Sequence, residues 1–342
     1  RSTLFPYTTL FRSPYSGDKA GAFTEPAVRE ALGYDFQSSW IRRWFLPQNM
    51  FRYWLSDFTR SDIMVQVFNN QLYHDATFAD LQPHPKILIN STVHNDHTRF
   101  TFTDERFASI HSVLAPYPVA NAVNASSAFP GAFQDVTLQW YMEPTQYLHL
   151  YDGGPIDNLG VQAITQYMNQ NVLGTTLDQL FPKGCVIFVI DATPSSDHTD
   201  LDFKQSSRSA IDYFVDTNAL DATDAMLIES RRSLLERMGI PVERQDRDPR
   251  GRLPVNDLRQ CACEVRHISL RQLAYADVSE ANEDLAERVT RIKTKFWLAD
   301  GEQNDLFQAA KVIMELLDHK QLLSEPSFKV PCGSGSAQKP PA

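Results

Sequence analysis

An aspartate followed by two glycines, Asp152-Gly153-Gly154, stands between a short apolar stretch and a run with helical spacing. The stretch 148–151, Leu-His-Leu-Tyr, reads as a strand. Asp157-Asn158 then offers capping side chains ahead of Leu159, Val161, Ile164 and Tyr167. Asp152 is therefore expected at a strand's C-terminal end, in a turn that small residues fit, just before a helix. In open α/β sheets that edge is where ligands bind. The same Asp-Gly pattern also makes an Asx-turn, in which the carboxylate only accepts from the amides after it, and on local pattern alone that is the commoner use.

Hydrolytic chemistry at such an edge would need a nucleophile. A serine elbow of the form G-x-S-x-G is absent from the chain. Cys332-Gly333-Ser334-Gly335-Ser336 comes nearest, with its glycines misplaced in a Pro/Gly/Ser-rich tail. Ser16, in Tyr15-Ser16-Gly17-Asp18, has one adjacent glycine and no apolar strand before it. Metal chemistry finds no better set of ligands. His94 and His97 flank the turn at Asn95-Asp96 without a third ligand, and read as solvated turn residues. Cys261-Ala262-Cys263 is half a metal site or a strained disulfide, and no second pair of ligands accompanies it. Cys185, in an apolar run, reads as a small buried hydrophobe. No metal and no cofactor is expected. Asn90-Ser-Thr and Asn124-Ala-Ser match the glycosylation pattern, but both fall in segments expected to be core.

The elements that must position Asp152 follow from periodicity. Residues 27–46 have helical spacing, stopped by Pro47. The aromatic-rich 50–58 reads as packing surface or as the lining of an acyl pocket. Ser61-Asp62 caps a helix that aligns Ile63, Val67, Phe68 and Leu72. Residues 85–91 form an apolar strand with 99–103 as hairpin partner. Residues 184–192 read as a parallel-type strand, apolar on both faces, closing a βαβ unit around Asp152. Further helices are expected at 209–238, 281–296 and 305–317, and a strand at 264–270. Mixed charge and breakers mark 242–258 as an exposed insertion, a surface loop rather than a lipid-touching lid. The expected fold is α/β: three layers, α/β/α, with a mostly parallel sheet and a helical C-terminal extension. A net charge of −10 offers no basic face for nucleic acid. No run of eighteen apolar residues spans a membrane, though a local patch leaves room for peripheral membrane contact.

Two segments taken together carry a resemblance. Ala125-Ser126-Ser127-Ala128-Phe129-Pro130-Gly131-Ala132-Phe133 precedes Asp152-Gly153-Gly154, and Thr77-Phe78-Ala79-Asp80-Leu81 lies upstream. In that order and spacing they resemble the bacterial patatin-like phospholipase family. The resemblance runs through most of 27–317 and is strongest at 77–158. It implies a lipid acyl hydrolase whose substrate is a lipid or acyl ester, acting through a Ser–Asp dyad with Asp152 as proton acceptor. Gly153, Gly154, Asn158, Ser126, Ser127, Pro130 and Gly131 would support that motif. Residues 3–13, TLFPYTTLFRS, match codon for codon the translation of a common short-read sequencing adapter. The expected organisation is therefore an artefact at 1–13 and the C-terminal part of a patatin-like catalytic domain at 14–200. An α/β extension at 201–323 and a disordered tail at 324–342 complete it. The dyad serine, its oxyanion loop and any signal peptide would lie upstream, leaving Asp152 facing a partly open cleft; the fragment itself would be inactive, and the compartment stays open. Two rival readings are a Ser–His–Asp esterase of α/β-hydrolase type, drawing on His198, His267 or His319, and a lipid-binding module without catalysis.

Overall fold

A computed structural model describes residues 25–82, 85–129, 133–171, 185–192, 217–240, 250–256, 261–275, 280–292 and 296–319. The readings of 1–13, Ser16, Pro130, Gly131, His198 and the tail 324–342 lie outside the described residues. The front is helical: α1 (Glu25–Gly33), α2 (Phe36–Trp44), α3 (Pro47–Leu55) and α4 (Arg60–Phe68). The single helix expected over 27–46 is thus two. Asp35 caps the second, its carboxylate accepting from the Ser38 amide at 2.8 Å. α2 ends at Trp44, ahead of Pro47, and Pro47 also opens α3, because a first-turn proline loses no helical hydrogen bond. Thr59, not Ser61, caps α4, with Asp62 closing a reciprocal capping box.

Two sheets follow. The first contains β1 (Asn90–Val93), β2 (Arg99–Thr101), β3 (Val136–Trp140) and β4 (Gln146–Tyr151), in the order β2-β1-β4-β3. Between its strands lie α5 (Asp104–Ser109) and α6 (Val119–Ser127). After β4 come α7 (Gly154–Asp157) and α8 (Val161–Asn171). The second sheet has β5 (Val186–Asp191), β6 (Arg250–Asn256) and β7 (Cys261–Ser269), in the order β5-β7-β6, with α9 (Thr217–Arg237) between β5 and β6. The helices α10 (Glu280–Thr290) and α11 (Asp300–His319) end the described chain.

The mostly parallel sheet is corrected by these pairings. Among the described residues only β5–β7 is parallel, and β1–β2, β1–β4, β3–β4 and β6–β7 are antiparallel. The connections explain this: β1 to β2, β3 to β4 and β6 to β7 are too short for a crossover, so each pair folds back on itself. Strands β4 and β5 stand in different sheets, so the expected βαβ unit around Asp152 is not formed by them. The hairpin 85–91/99–103 does form, with its first strand starting at Asn90. Residues 250–256, read as exposed insertion, pair instead with β7. Strand β5 buries only alternate residues: Ile187 and Val189 point inward while Phe188 and Ile190 are exposed.

Each sheet has its own core. Phe36, Phe68, Phe100, Phe102, Val123 and Leu150 pack between the front helices and the first sheet. Val161, Ile187, Val189, Leu235 and Val265 join α8 and α9 to the second. A disulfide joins Cys185 to Cys263, so the former is no free thiol and the latter no metal ligand. Among the described residues no helix is long and apolar enough to cross a membrane.

Candidate active site

Strand β4 delivers the chain to Asp152, as its sequence predicts, and three main-chain contacts then fix the turn. The Asp152 amide donates to the Ala128 carbonyl at 3.0 Å, and the Gly153 amide to Ser126 at 3.2 Å. The buried Thr92 hydroxyl of β1 donates to the Asp152 carbonyl at 2.7 Å. The Ala-Ser-Ser-Ala segment and the Asp-Gly-Gly turn, some twenty-five residues apart, are thus brought together at the end of α6. Gly153 is required here by close approach: a Cβ on it would lie 2.5 Å from the Asn90 carbonyl oxygen.

The Asp152 side chain is 2% exposed, so it does not face the partly open cleft that the sequence suggested. Its Oδ1 accepts from the Gly154 amide at 2.7 Å, the geometry of an Asx-turn. Among the described residues no cation or histidine bonds this carboxylate. Burial is the dominant cause of its pKa, pushing it from the ordinary 3.8 up to about 7, against the single opposing hydrogen bond from Gly154. The Asn158 amide stands beside the turn, its Oδ1 buried without a hydrogen-bond partner among the described residues. Ser127 is buried and its hydroxyl donates to the Asn124 carbonyl at 3.3 Å, so it is turned to the backbone.

Asp157 does cap the next helix. Its two oxygens accept from the Gln162 amide at 3.1 Å and the Ala163 amide at 2.8 Å, at the start of α8. Burial raises its pKa, and those amides together with Arg99, whose Nη1 lies 3.6 Å away, act in the other direction. Arg99 also reaches the Gln166 side chain.

A second buried acidic group was not singled out from sequence. Asp191, the last residue of β5, receives Arg231 Nε at 2.6 Å and lies 2.9 Å from His267 Nε2. His267 is fully buried, and its bond is to Asp191, not to Asp152. Burial alone would raise Asp191, but the His267 and Arg231 hydrogen bonds and the Arg231 charge hold it well below the usual carboxylate range. The available clue was an ionisable residue closing an apolar strand; its partners are 40 and 76 residues away in sequence.

The remaining candidates are placed plainly. His94 pairs with Asp135 at 2.9 Å and His97 lies 3.5 Å from the Tyr151 hydroxyl, so the two histidines do not converge. Asn124 is buried, and Asn90 accepts from Thr101 at 2.9 Å, in keeping with a chance glycosylation pattern. A cavity of about 1040 Å³ opens between α4, α6 and β3, lined by Tyr117, Asn124 and Leu138; Asp152 is not among its lining residues. Comparisons with protein-family models, with curated proteins and with solved structures found no match to this chain.

Proposed function

We propose that Asp152 is the general base of a lipid acyl-ester hydrolase of the patatin-like kind, with its serine on a segment preceding this chain. The observation that carries the reading is a buried aspartate with no charged partner among the described residues and a pKa near 7, close to where a general base works best. A carboxylate at its ordinary value would be too weak a base for a serine hydroxyl. The fixed turn adds support, since the amides of Asp152 and Gly153 are both held by α6 and cannot swing. In this reading the serine oxygen attacks the ester carbonyl while Asp152 takes its proton directly. Asp152 gives that proton to the departing alkoxide, which leaves as the alcohol; it then takes a proton from the water that attacks the acyl-enzyme and returns it to the serine oxygen as the carboxylic acid is released.

The test is hydrolysis of p-nitrophenyl butyrate and of a phospholipid by this chain joined to its upstream coding sequence. Asp152→Asn in that protein should lower kcat by about 10²–10⁴-fold. The chain alone should show no turnover above its own Asp152→Asn form. An upstream sequence without G-x-S-x-G, or turnover indifferent to Asp152→Asn, rejects the proposal.

A further inference from the structure

Large apolar side chains left in water are concentrated on one pair of front helices. The inner face of α2 packs normally: Phe36 lies 5.5 Å from Phe68 and Trp40 lies 5.0 Å from Phe133, ring centre to ring centre. Helix α3 is inside out. The one side chain it buries is Asn49, whose Nδ2 donates to the Arg43 carbonyl at 2.8 Å and so locks the corner between α2 and α3. Around that corner Phe45 is 66% exposed, Phe51 68%, Trp54 77% and Leu55 77%, with Leu46 and Met50 beside them. Scattered exposed hydrophobes are ordinary, but a contiguous set on two rigidly joined helices marks an interaction surface.

Charge selects the partner. Between Phe36 and Ser56 the chain has no Asp, Glu or Lys, and three arginines, Arg42, Arg43 and Arg52. Asp35 and Asp57 stand just outside these bounds, Asp35 close to Arg42, and the exposed Arg42 and Arg52 flank the apolar corner of a protein whose net charge is −10. An anionic lipid surface satisfies both halves of the pattern, because apolar and aromatic side chains enter the headgroup boundary while arginines stay at phosphate level.

We propose that the α2–α3 corner docks the protein on anionic phospholipid bilayers, inserting Phe45, Phe51, Trp54 and Leu55 with the exposed Arg42 and Arg52 at the headgroups. This concerns where the chain sits, and stands apart from the hydrolase reading of Asp152.

The experiment is sedimentation of the full chain with phosphatidylcholine vesicles, with and without phosphatidylserine. Binding should be clear with phosphatidylserine and weaker without. Combined Phe51→Ser, Trp54→Ser and Leu55→Ser should reduce it about tenfold or more, with unchanged circular dichroism because these side chains already face water. Arg42→Gln and Arg52→Gln together should weaken binding by about fivefold per arginine on the anionic vesicles only. Brominated lipid should quench tryptophan emission, and Trp54→Phe should keep binding while losing that quenching. Asp152→Asn should bind as the original does, which separates this proposal from the hydrolase one. No sedimentation with either vesicle overturns the proposal, as does binding untouched by the triple serine variant. A dimer broken by that variant in a chain indifferent to vesicles overturns it in favour of a self-interface.

Discussion

Each of the two sheets ends a strand in a buried aspartate. Asp152 follows β4 and Asp191 closes β5, and each is 2% exposed. Desolvation pushes both toward the neutral form. Around Asp191 the push is overcome by Arg231 and His267, and the carboxylate is held ionised. Around Asp152 one backbone amide opposes it, and the pKa climbs to about 7. Equal burial therefore yields opposite acids, and the partners decide which. A paired buried aspartate fastens a helix to a sheet. An unpaired one gives up stability at neutral pH, and such a site is a candidate for chemistry.

The largest expected effect comes from making Asp191 resemble Asp152. Arg231→Leu leaves a buried carboxylate without its cation, and chemical denaturation should show a loss of about 3–5 kcal/mol. A shift under 1 kcal/mol would mean that the arginine is not what distinguishes the two sites.

The next effect sharpens the contrast through pH. The folded pKa of Asp152 lies above its unfolded value of about 3.8. Between these values the unfolded chain has released the proton and the folded chain keeps it, so stability falls as pH rises. The slope is about 1.4 kcal/mol per pH unit, or roughly 2 kcal/mol between pH 5 and pH 7. Asp152→Asn should lessen the fall in urea midpoints measured across the range, leaving the part contributed by Asp157, which burial also raises. Asp191 has the opposite sign: its contribution is present above the ordinary carboxylate range and is lost as pH drops through it. The loss of stability below about pH 4 should thus survive Asp152→Asn.

Two smaller changes probe how the Asp152 turn is held. Gly153→Ala places a methyl 2.5 Å from the Asn90 carbonyl oxygen, which must displace β1 or the turn. Thermal unfolding should register about 1–3 kcal/mol, and no loss would mean that the turn is free to move. Thr92→Val removes the 2.7 Å bond to the Asp152 carbonyl and should cost about 1 kcal/mol. If the valine variant leaves both stability and the pH profile alone, the β1 contact is incidental to the site.

What the sequence determined by itself is local. It placed Asp152 at the end of a strand, Asp157 at the cap of the following helix, and a hairpin near 90–101. Strand alternation, Asx-type capping and Asp-Gly turns involve groups a few residues apart, so their types and spacing suffice. It misjudged the unbroken helix over 27–46 and the cap at Ser61: Asp35 starts a second helix inside that span, and Thr59 caps two residues sooner than Ser61.

Tertiary structure alone decided the rest. Whether β4 and β5 share a sheet depends on pairing partners far along the chain, which alternation within each strand does not name. The strand at 250–256 exists because β7 lies beside it, though its own residues read as a loop. The disulfide links cysteines 78 residues apart. The clearest case is the pair of aspartates. Each sequence neighbourhood shows an acidic residue after an apolar run, and neither shows what faces it. Arg231 and His267 reach Asp191 from 40 and 76 residues away, while the described residues bring no charge to Asp152. Ionisation in a protein interior is set by the charges and dipoles packed within a few ångströms, and only the folded chain selects them.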